Sequence, residues 1–436
     1  MPVHLSTSDP EFESGFNALL NAKREDDEDV DRAAAEILDA VRREGDAAII
    51  RFTERFDRLS LTPETLRVSD SEINALTAEV PAKQKAALEL AAERIAAFHA
   101  RQKPEDQRWR DASGVELGWR WTPVDAAGLY APGGLASYPS SFLMNAIPAR
   151  EAGVGRVALC APAPEGRLNP LVLLAARIAG VDEVYRIGGA QAIGALAYGS
   201  HSIGKVDVIV GPGNAYVAAA KRRVFGRVGI DSIAGPSEVV IVADKTADPD
   251  WIAADLLAQA EHDPVAQSIL ITDHPSLAEA SAAAVVRRLQ SLPKAEIAGA
   301  SWRDFGATIV VRDLKEAAGL VDRLAPEHLE LALKEAEEFA ATIRHAGAIF
   351  FGSHTPEALG DYLAGPNHVL PTARSARHAS GLSVLDFMKR TTLLKASPAA
   401  LARLGPSAEI LAEAEGLEGH ALSIRARLER EQGDGA

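Results

Sequence analysis

A chain of 436 residues exceeds what one hydrophobic core usually fills, roughly 250 to 300 residues, so it predicts two sizeable domains with appendages. At 47% hydrophobic and 25% charged it reads as an ordinary soluble globular protein. Its 46 Lys plus Arg against 61 Asp plus Glu leave a charge of -15 that repels phosphate backbones and anionic lipid, which excludes nucleic acid and membrane as expected partners.

The segment Met1–Phe16 lacks the apolar stretch of a signal peptide and no run approaches about 18 apolar residues, so a cytoplasmic location is expected. Apolar residues then recur at helical spacing over Val30–Arg43, Asp46–Phe56 and Ala82–Gln102. From about Gly118 short apolar runs alternate with Gly-rich breaks and Ala-rich helices, the rhythm of a parallel sheet. Val124–Tyr130 runs into Ala131-Pro132-Gly133-Gly134, and Val154–Cys160 leads to a helix over Pro170–Ala179. Glu183–Ile187 runs into Gly188-Gly189, and Val206–Val210 into Gly211-Pro212-Gly213-Asn214. A second set of strands follows at Val239–Val242, Gln267–Thr272, Thr308–Val311 and Ala348–Phe351. The element order predicts an α/β fold of two doubly wound, Rossmann-like parallel-sheet domains, one inserted in the other, with helical N- and C-terminal dimerisation arms. The expected limits are 1–24 for the N-terminal arm, 25–123 with 239–380 for the outer domain, 124–238 for the inserted domain and 381–436 for the C-terminal arm.

Glycines between a strand and a helix let backbone amides approach a phosphate. Gly211-x-Gly213 and Gly188-Gly189 both qualify, although Tyr216 stands where a third glycine would complete the dinucleotide fingerprint, and either loop would also serve as a tight turn. Tyr130, beside the first glycine loop, offers a ring or a hydroxyl. Cys160 is the only cysteine, which excludes a disulfide, a thiolate zinc cage and a thiol redox pair; with no basic neighbour in sequence it reads as an inert buried thiol.

Gln259 and His262 lie three apart on a helix that Asp248 can cap, Pro249 suits in its first turn and Asp263-Pro264 ends. They share one face in the last turn, where free carbonyls favour a cation, though a helix-end histidine also serves as a solvated cap. Glu327 and His328 follow Pro326 at the expected first turn of a helix running to about Arg344, which would keep Glu327 ionised and His328 neutral, two bases side by side. The same pair also fits a helix-start carboxylate with an exposed neighbour. Asp361, His368, Glu415 and His420 follow; oxygen and nitrogen donors of this kind make metal sites open to substrate rather than closed structural ones.

The chain resembles the histidinol dehydrogenase family over nearly its whole length. The carriers are Ile230-Asp231, Ala234-Gly235-Pro236-Ser237-Glu238, Gln259-Ala260-Glu261-His262, Ala325-Pro326-Glu327-His328-Leu329, Gly365 with Asn367 to Thr372, and Ser380 to Val384. The resemblance implies zinc on Gln259, His262, Asp361 and His420, with His420 of the partner subunit reaching across a homodimer. It implies Glu327 and His328 as proton acceptors, Glu327 on water, and Tyr130, Gln191 and Asn214 around NAD. Ser237, Gln259, His262, His328, Asp361, Glu415 and His420 would surround the substrate L-histidinol, with His368 behind them. The implied reaction is a four-electron oxidation to L-histidine through histidinaldehyde, ending histidine biosynthesis. One departure from the family pattern is Ala373-Arg374-Ser375-Ala376, where the resemblance leads one to expect glycines as in many members. Rival readings are a zinc- and NAD-dependent paralogue acting on another small polar alcohol, against which the Glu415 carboxylate argues, and a catalytically idle binding protein, which would not need both Glu327 and His328.

Overall fold

The computed structural model describes residues 2–22, 28–132, 138–233 and 235–433, so Gly133, Gly134 and Ala234 of the motifs above lie outside the described residues. The chain forms two compact units: Met1–Gln102 with Asp125–Phe387, and Lys103–Val124 with Met388–Ala436. The larger unit is α/β and contains two parallel sheets. Its five-stranded sheet runs Glu183–Tyr185, Arg156–Cys160, Ala126–Tyr130, Val208–Val210, Gly229–Ile230 in spatial order. Numbered along the chain this is 3-2-1-4-5, so the strand order reverses between Ala126–Tyr130 and Val208–Val210 and opens a crevice at their carboxyl ends.

The six-stranded sheet runs Val3–Ser6, Ala307–Val310, Gln267–Thr272, Glu238–Ala243, His328–Ala332, Ala348–Phe351, again all parallel. Its last five strands in chain order repeat the 3-2-1-4-5 arrangement. The central strand is apolar on both faces because helices cover both: Val239, Val240, Ile241 and Val242 are all buried, each contributing about 2 kcal/mol of apolar burial.

Three features depart from the sequence reading. The first 24 residues begin with an edge strand, Val3–Ser6, paired to Ala307–Val310, and the following helix buries Phe12, Phe16 and Leu19 in the core of the six-stranded sheet rather than standing free as an arm. The helices Glu28–Glu44 and Asp46–Asp57, expected in the outer domain, place Leu38, Val41 and Ile49 in one core with Ile193, Leu196 and Val217 of the five-stranded sheet's helices. Their amphipathic stripes fix that they pack but not on which sheet. Third, Glu327-His328 does not open a helix. The helix Leu314–Leu324 ends at Ala325 in a left-handed conformation (φ 45°), and His328–Ala332 is a central strand between Glu238–Ala243 and Ala348–Phe351. His-Leu-Glu-Leu-Ala has the period-two alternation of a strand, and five residues are too few to distinguish this from helix by pattern.

The smaller unit holds an antiparallel sheet of Met388–Lys395, Glu116–Pro123 and Gln107–Arg110, absent from the sequence reading. Its helices are Pro398–Ala414, capped by Ser397, and Glu418–Gly433. Among the described residues no helix is long and apolar enough to cross a membrane.

Candidate active site

The carboxyl ends of the five-stranded sheet and the amino ends of two central strands of the six-stranded sheet line one cavity of about 450 Å³. From the first come Pro132 and the loop residues Pro212, Gly213 and Asn214, which follow Gly211; from the second come Ser237, just ahead of Glu238–Ala243, and the Glu327-His328 pair at the head of its strand. Gly211 sits at the strand-order reversal with φ +113°, and a Cβ there would lie 2.2 Å from the Tyr130 carbonyl oxygen, so only glycine lets the two strand ends meet. The next helix, Ala215–Val224, is capped by Asn214, whose side chain accepts from the Val217 amide at 3.1 Å. Asn214 lies on the cavity wall; Tyr130 and Gln191 lie behind it, both buried, the Tyr130 hydroxyl accepting from the Gly189 amide at 3.0 Å and pushed up to about 12 by burial.

His328 is buried, and its Nδ1 lies 3.1 Å from the Glu238 carbonyl, which only accepts. That bond assigns the proton to Nδ1 and leaves the Nε2 lone pair free; Nε2 is buried with no hydrogen-bond partner. Burial pulls the ring down to about 3, so His328 is neutral, as expected. Glu327 is not as expected. Burial, with the charges of Glu238 and Asp361, pushes its carboxyl well above the usual range, against the amide of Glu238 at 3.0 Å and the Ser237 side chain, which favour the anion. The helix N-terminus that was to keep it ionised is a strand start.

Asp248 caps the helix Pro249–Ala260 as anticipated. Gln259 falls in its last turn and His262 one residue beyond the Glu261 cap, their side chains meeting at 3.2 Å between Nε2 and Nδ1. Gln259 Oε1 is buried without a partner, and burial keeps His262 neutral. Asp361, on the short helix Glu357–Tyr362, is pushed up to about 7 by burial and has Oδ1 3.9 Å from His328 Nε2. His368 spends both nitrogens, Nδ1 on the Asp361 carbonyl and Nε2 on Ser141 Oγ, each at 2.9 Å, so it holds its neighbours rather than offering a ligand atom.

The sequence reading missed Glu357. It is buried, with Oε2 unpartnered, and its ligand atom lies with those of His328 and Asp361 inside 4.8 Å of one another. The available signal was its spacing, i,i+4 to Asp361 after Pro356. An unpartnered Gln259 oxygen, a neutral His262 and carboxylates raised by desolvation are a donor set that a divalent cation satisfies. The family set and the His328, Glu357, Asp361 cluster share only Asp361. A metal on His328 Nε2 would occupy the lone pair that its Nδ1 bond leaves free.

Glu415 caps a helix of the smaller unit and His420 lies on the next; both are exposed within that unit. Ala373 and Arg374 carry left-handed φ values of 51° and 64°, a conformation that favours glycine, and the neighbouring Thr372 Oγ1 accepts from the Gly235 amide at 2.7 Å on the cavity wall. Cys160 is wholly buried and its thiol is pushed far up by that burial. Cys160→Ala should therefore keep most of the turnover; loss of activity in a folded variant, judged by thermal unfolding beside steady-state rates, would restore a thiol role.

The histidinol dehydrogenase family profile matches residues 20–428. The chain is 66% identical over 430 residues to histidinol dehydrogenase of Cereibacter sphaeroides, covering 99% of both chains. It is 63% identical over 433 residues to that of Ruegeria pomeroyi, covering 99% of this chain and 100% of the relative. The crystal structure of histidinol dehydrogenase from Elizabethkingia anophelis superposes with a TM-score of 0.94 at 36% identity, 99% of each chain being covered. These likenesses define an oxidoreductase. The chain belongs to the histidinol dehydrogenase family.

Proposed function

We propose that the cavity oxidises L-histidinol to L-histidine in two NAD-dependent steps through histidinaldehyde, with one zinc ion per subunit on Gln259, His262, Asp361 and His420 of the partner subunit. The observation that carries this reading is the free, buried Nε2 of neutral His328 in a cavity that His262 and Asp361 also line and that reaches the loop residues Pro212, Gly213 and Asn214. The bound cation would hold the substrate's imidazole and amine in their neutral forms, and NAD would accept each hydride.

Each oxidation removes one hydride from carbon and one proton from oxygen. His328 Nε2 takes the hydroxyl proton, and the Glu238 carbonyl on Nδ1 stabilises the imidazolium that results. Glu327 removes a proton from the water that adds to the aldehyde, its carboxylate held by the Glu238 amide and Ser237. Burial and the neighbouring carboxylates favour the protonated carboxyl; positive charge brought into the cavity favours the anion. Glu415 of the partner subunit suits an amino alcohol that arrives as a cation and loses its amine proton as the metal takes it, and the homodimer and cytoplasmic location accompany this reading.

Counting NADH formed per histidinol consumed, with and without a chelator, tests it. Two are expected, and none after chelation; one per substrate would make this a simple alcohol dehydrogenase. Turnover should also fall in acid. Asp361, at about 7 without metal, exchanges a cation for a proton as pH drops through that value, so chelator-competition titrations should show metal affinity weakening below about pH 7. Equal affinity at pH 6 and pH 8 would remove Asp361 from the ligand set.

A further inference from the structure

Outside the reacting groups, Lys221 and Asp231 stand out as a buried ion pair, their side chains 2% and 4% exposed. Two charges out of water are a poor way to stabilise a fold; apolar side chains of similar volume often do as well or better. What this pair does that an apolar pair cannot is bond the backbone. Lys221 Nζ donates to the Gly211 carbonyl at 3.1 Å and also bonds Asp231 Oδ1, while Asp231 Oδ2 accepts from the Gly211 amide at 2.8 Å. Both main-chain groups of Gly211 are thus clamped by one pair.

Gly211 has no side chain to pack and, with Tyr130 in the way, cannot have one. Its position is set through its N–H and C=O alone. The clamp joins three elements at the strand-order reversal: the loop Gly211–Asn214, the helix Ala215–Val224 that carries Lys221, and the end of Gly229–Ile230, which Asp231 follows. It does so without net charge, so the positive potential at the helix's amino end stays available to an anion. We propose that Lys221 and Asp231 are positioning residues that hold the Gly211–Asn214 loop in register for the diphosphate of the dinucleotide, an inference that rests on the NAD assignment above.

The test uses the full-length, metal-loaded protein with Lys221→Met/Asp231→Leu, which removes both charges together, and Asp231→Asn, which keeps the volume should the double variant misfold. NAD and histidinol are titrated separately by calorimetry, with thermal unfolding as the control. Loss of charge-assisted bonds to Gly211 should raise Kd and KM for NAD by about tenfold or more in the double variant and less in Asp231→Asn, with histidinol Kd unchanged and kcat at saturating NAD within about twofold. A folded variant with wild-type NAD affinity overturns the proposal, as does equal weakening of both ligands, which signals general damage. Wild-type protein that takes up histidinol but no NAD would overturn the cofactor assignment itself, and this inference with it.

Discussion

His328→Asn should lower turnover of histidinol by roughly 10²- to 10⁴-fold, the usual worth of a positioned general base, without unfolding the protein or emptying the metal site. Asparagine keeps a donor for the Glu238 carbonyl and discards the Nε2 lone pair, so the variant separates anchoring from proton transfer. Because His328 sits near 3, the wild-type ring stays neutral across any practical assay range; the acid limb of the rate profile belongs to other groups and should survive in the variant's residual activity. Steady-state kinetics, unfolding temperature and metal content on one preparation check all three points. Activity within tenfold of wild type would remove His328 as the base. Glu327→Gln makes the contrast: with water activation lost and the hydroxyl base kept, NADH per histidinol should drop from two towards one as aldehyde accumulates.

Stripping the metal should destabilise the protein, and more at pH 8 than at pH 6. Burial raises Asp361 to about 7 and Asp255 to about 6, and pushes Glu327, Glu330 and Glu357 well above the ordinary range. Their unfolded values lie near 4, so between about pH 4 and 7 the folded, metal-free chain binds more protons than the unfolded one. Its stability therefore falls as pH rises through that window, by an amount on the order of a few kcal/mol for Asp361 alone. A cation reverses the sign, because it needs the ionised carboxylate and binds more tightly as protons leave. Chelator should thus widen the gap in unfolding temperature as pH rises. An equal drop at both values, or none, would mean that these carboxyls are satisfied without metal.

Much of this was legible in the sequence. The two strand sets, the Gly211–Asn214 loop and the capped helix carrying Gln259 follow from local patterning, where turn chemistry and period agree. What failed was long-range or short-run. The partner of Glu28–Glu44 depends on which sheet offers a matching groove. The strand at His328–Ala332 is too brief for its period to be decisive, and the ionisation of Glu327 was argued from a helix that is not there. Glu357 was missed because its i,i+4 spacing to Asp361 does not by itself separate a buried glutamate from a solvated one; in the fold it is buried, with Glu330 accepting from its amide at 2.6 Å. Lys221 lies in a helix-end Lys-Arg-Arg run, where sequence offers no sign that the fold turns it inward.

The six-stranded sheet has its own strand-order reversal, at the carboxyl ends of Glu238–Ala243 and His328–Ala332, and there Asp244 spans the gap, its amide donating to the Ala332 carbonyl at 3.3 Å and its carboxylate accepting from the Lys334 amide at 2.8 Å. The place where such a sheet ordinarily takes a ligand is stitched closed, and the cavity lined by Ser237, Glu327 and His328 opens at the opposite rim. The turn after Thr272 lies on the stitched rim, and none of its residues lines the cavity. Extra residues inserted there would cost little more than loop entropy, which makes that rim the natural place to graft a tag or a second domain.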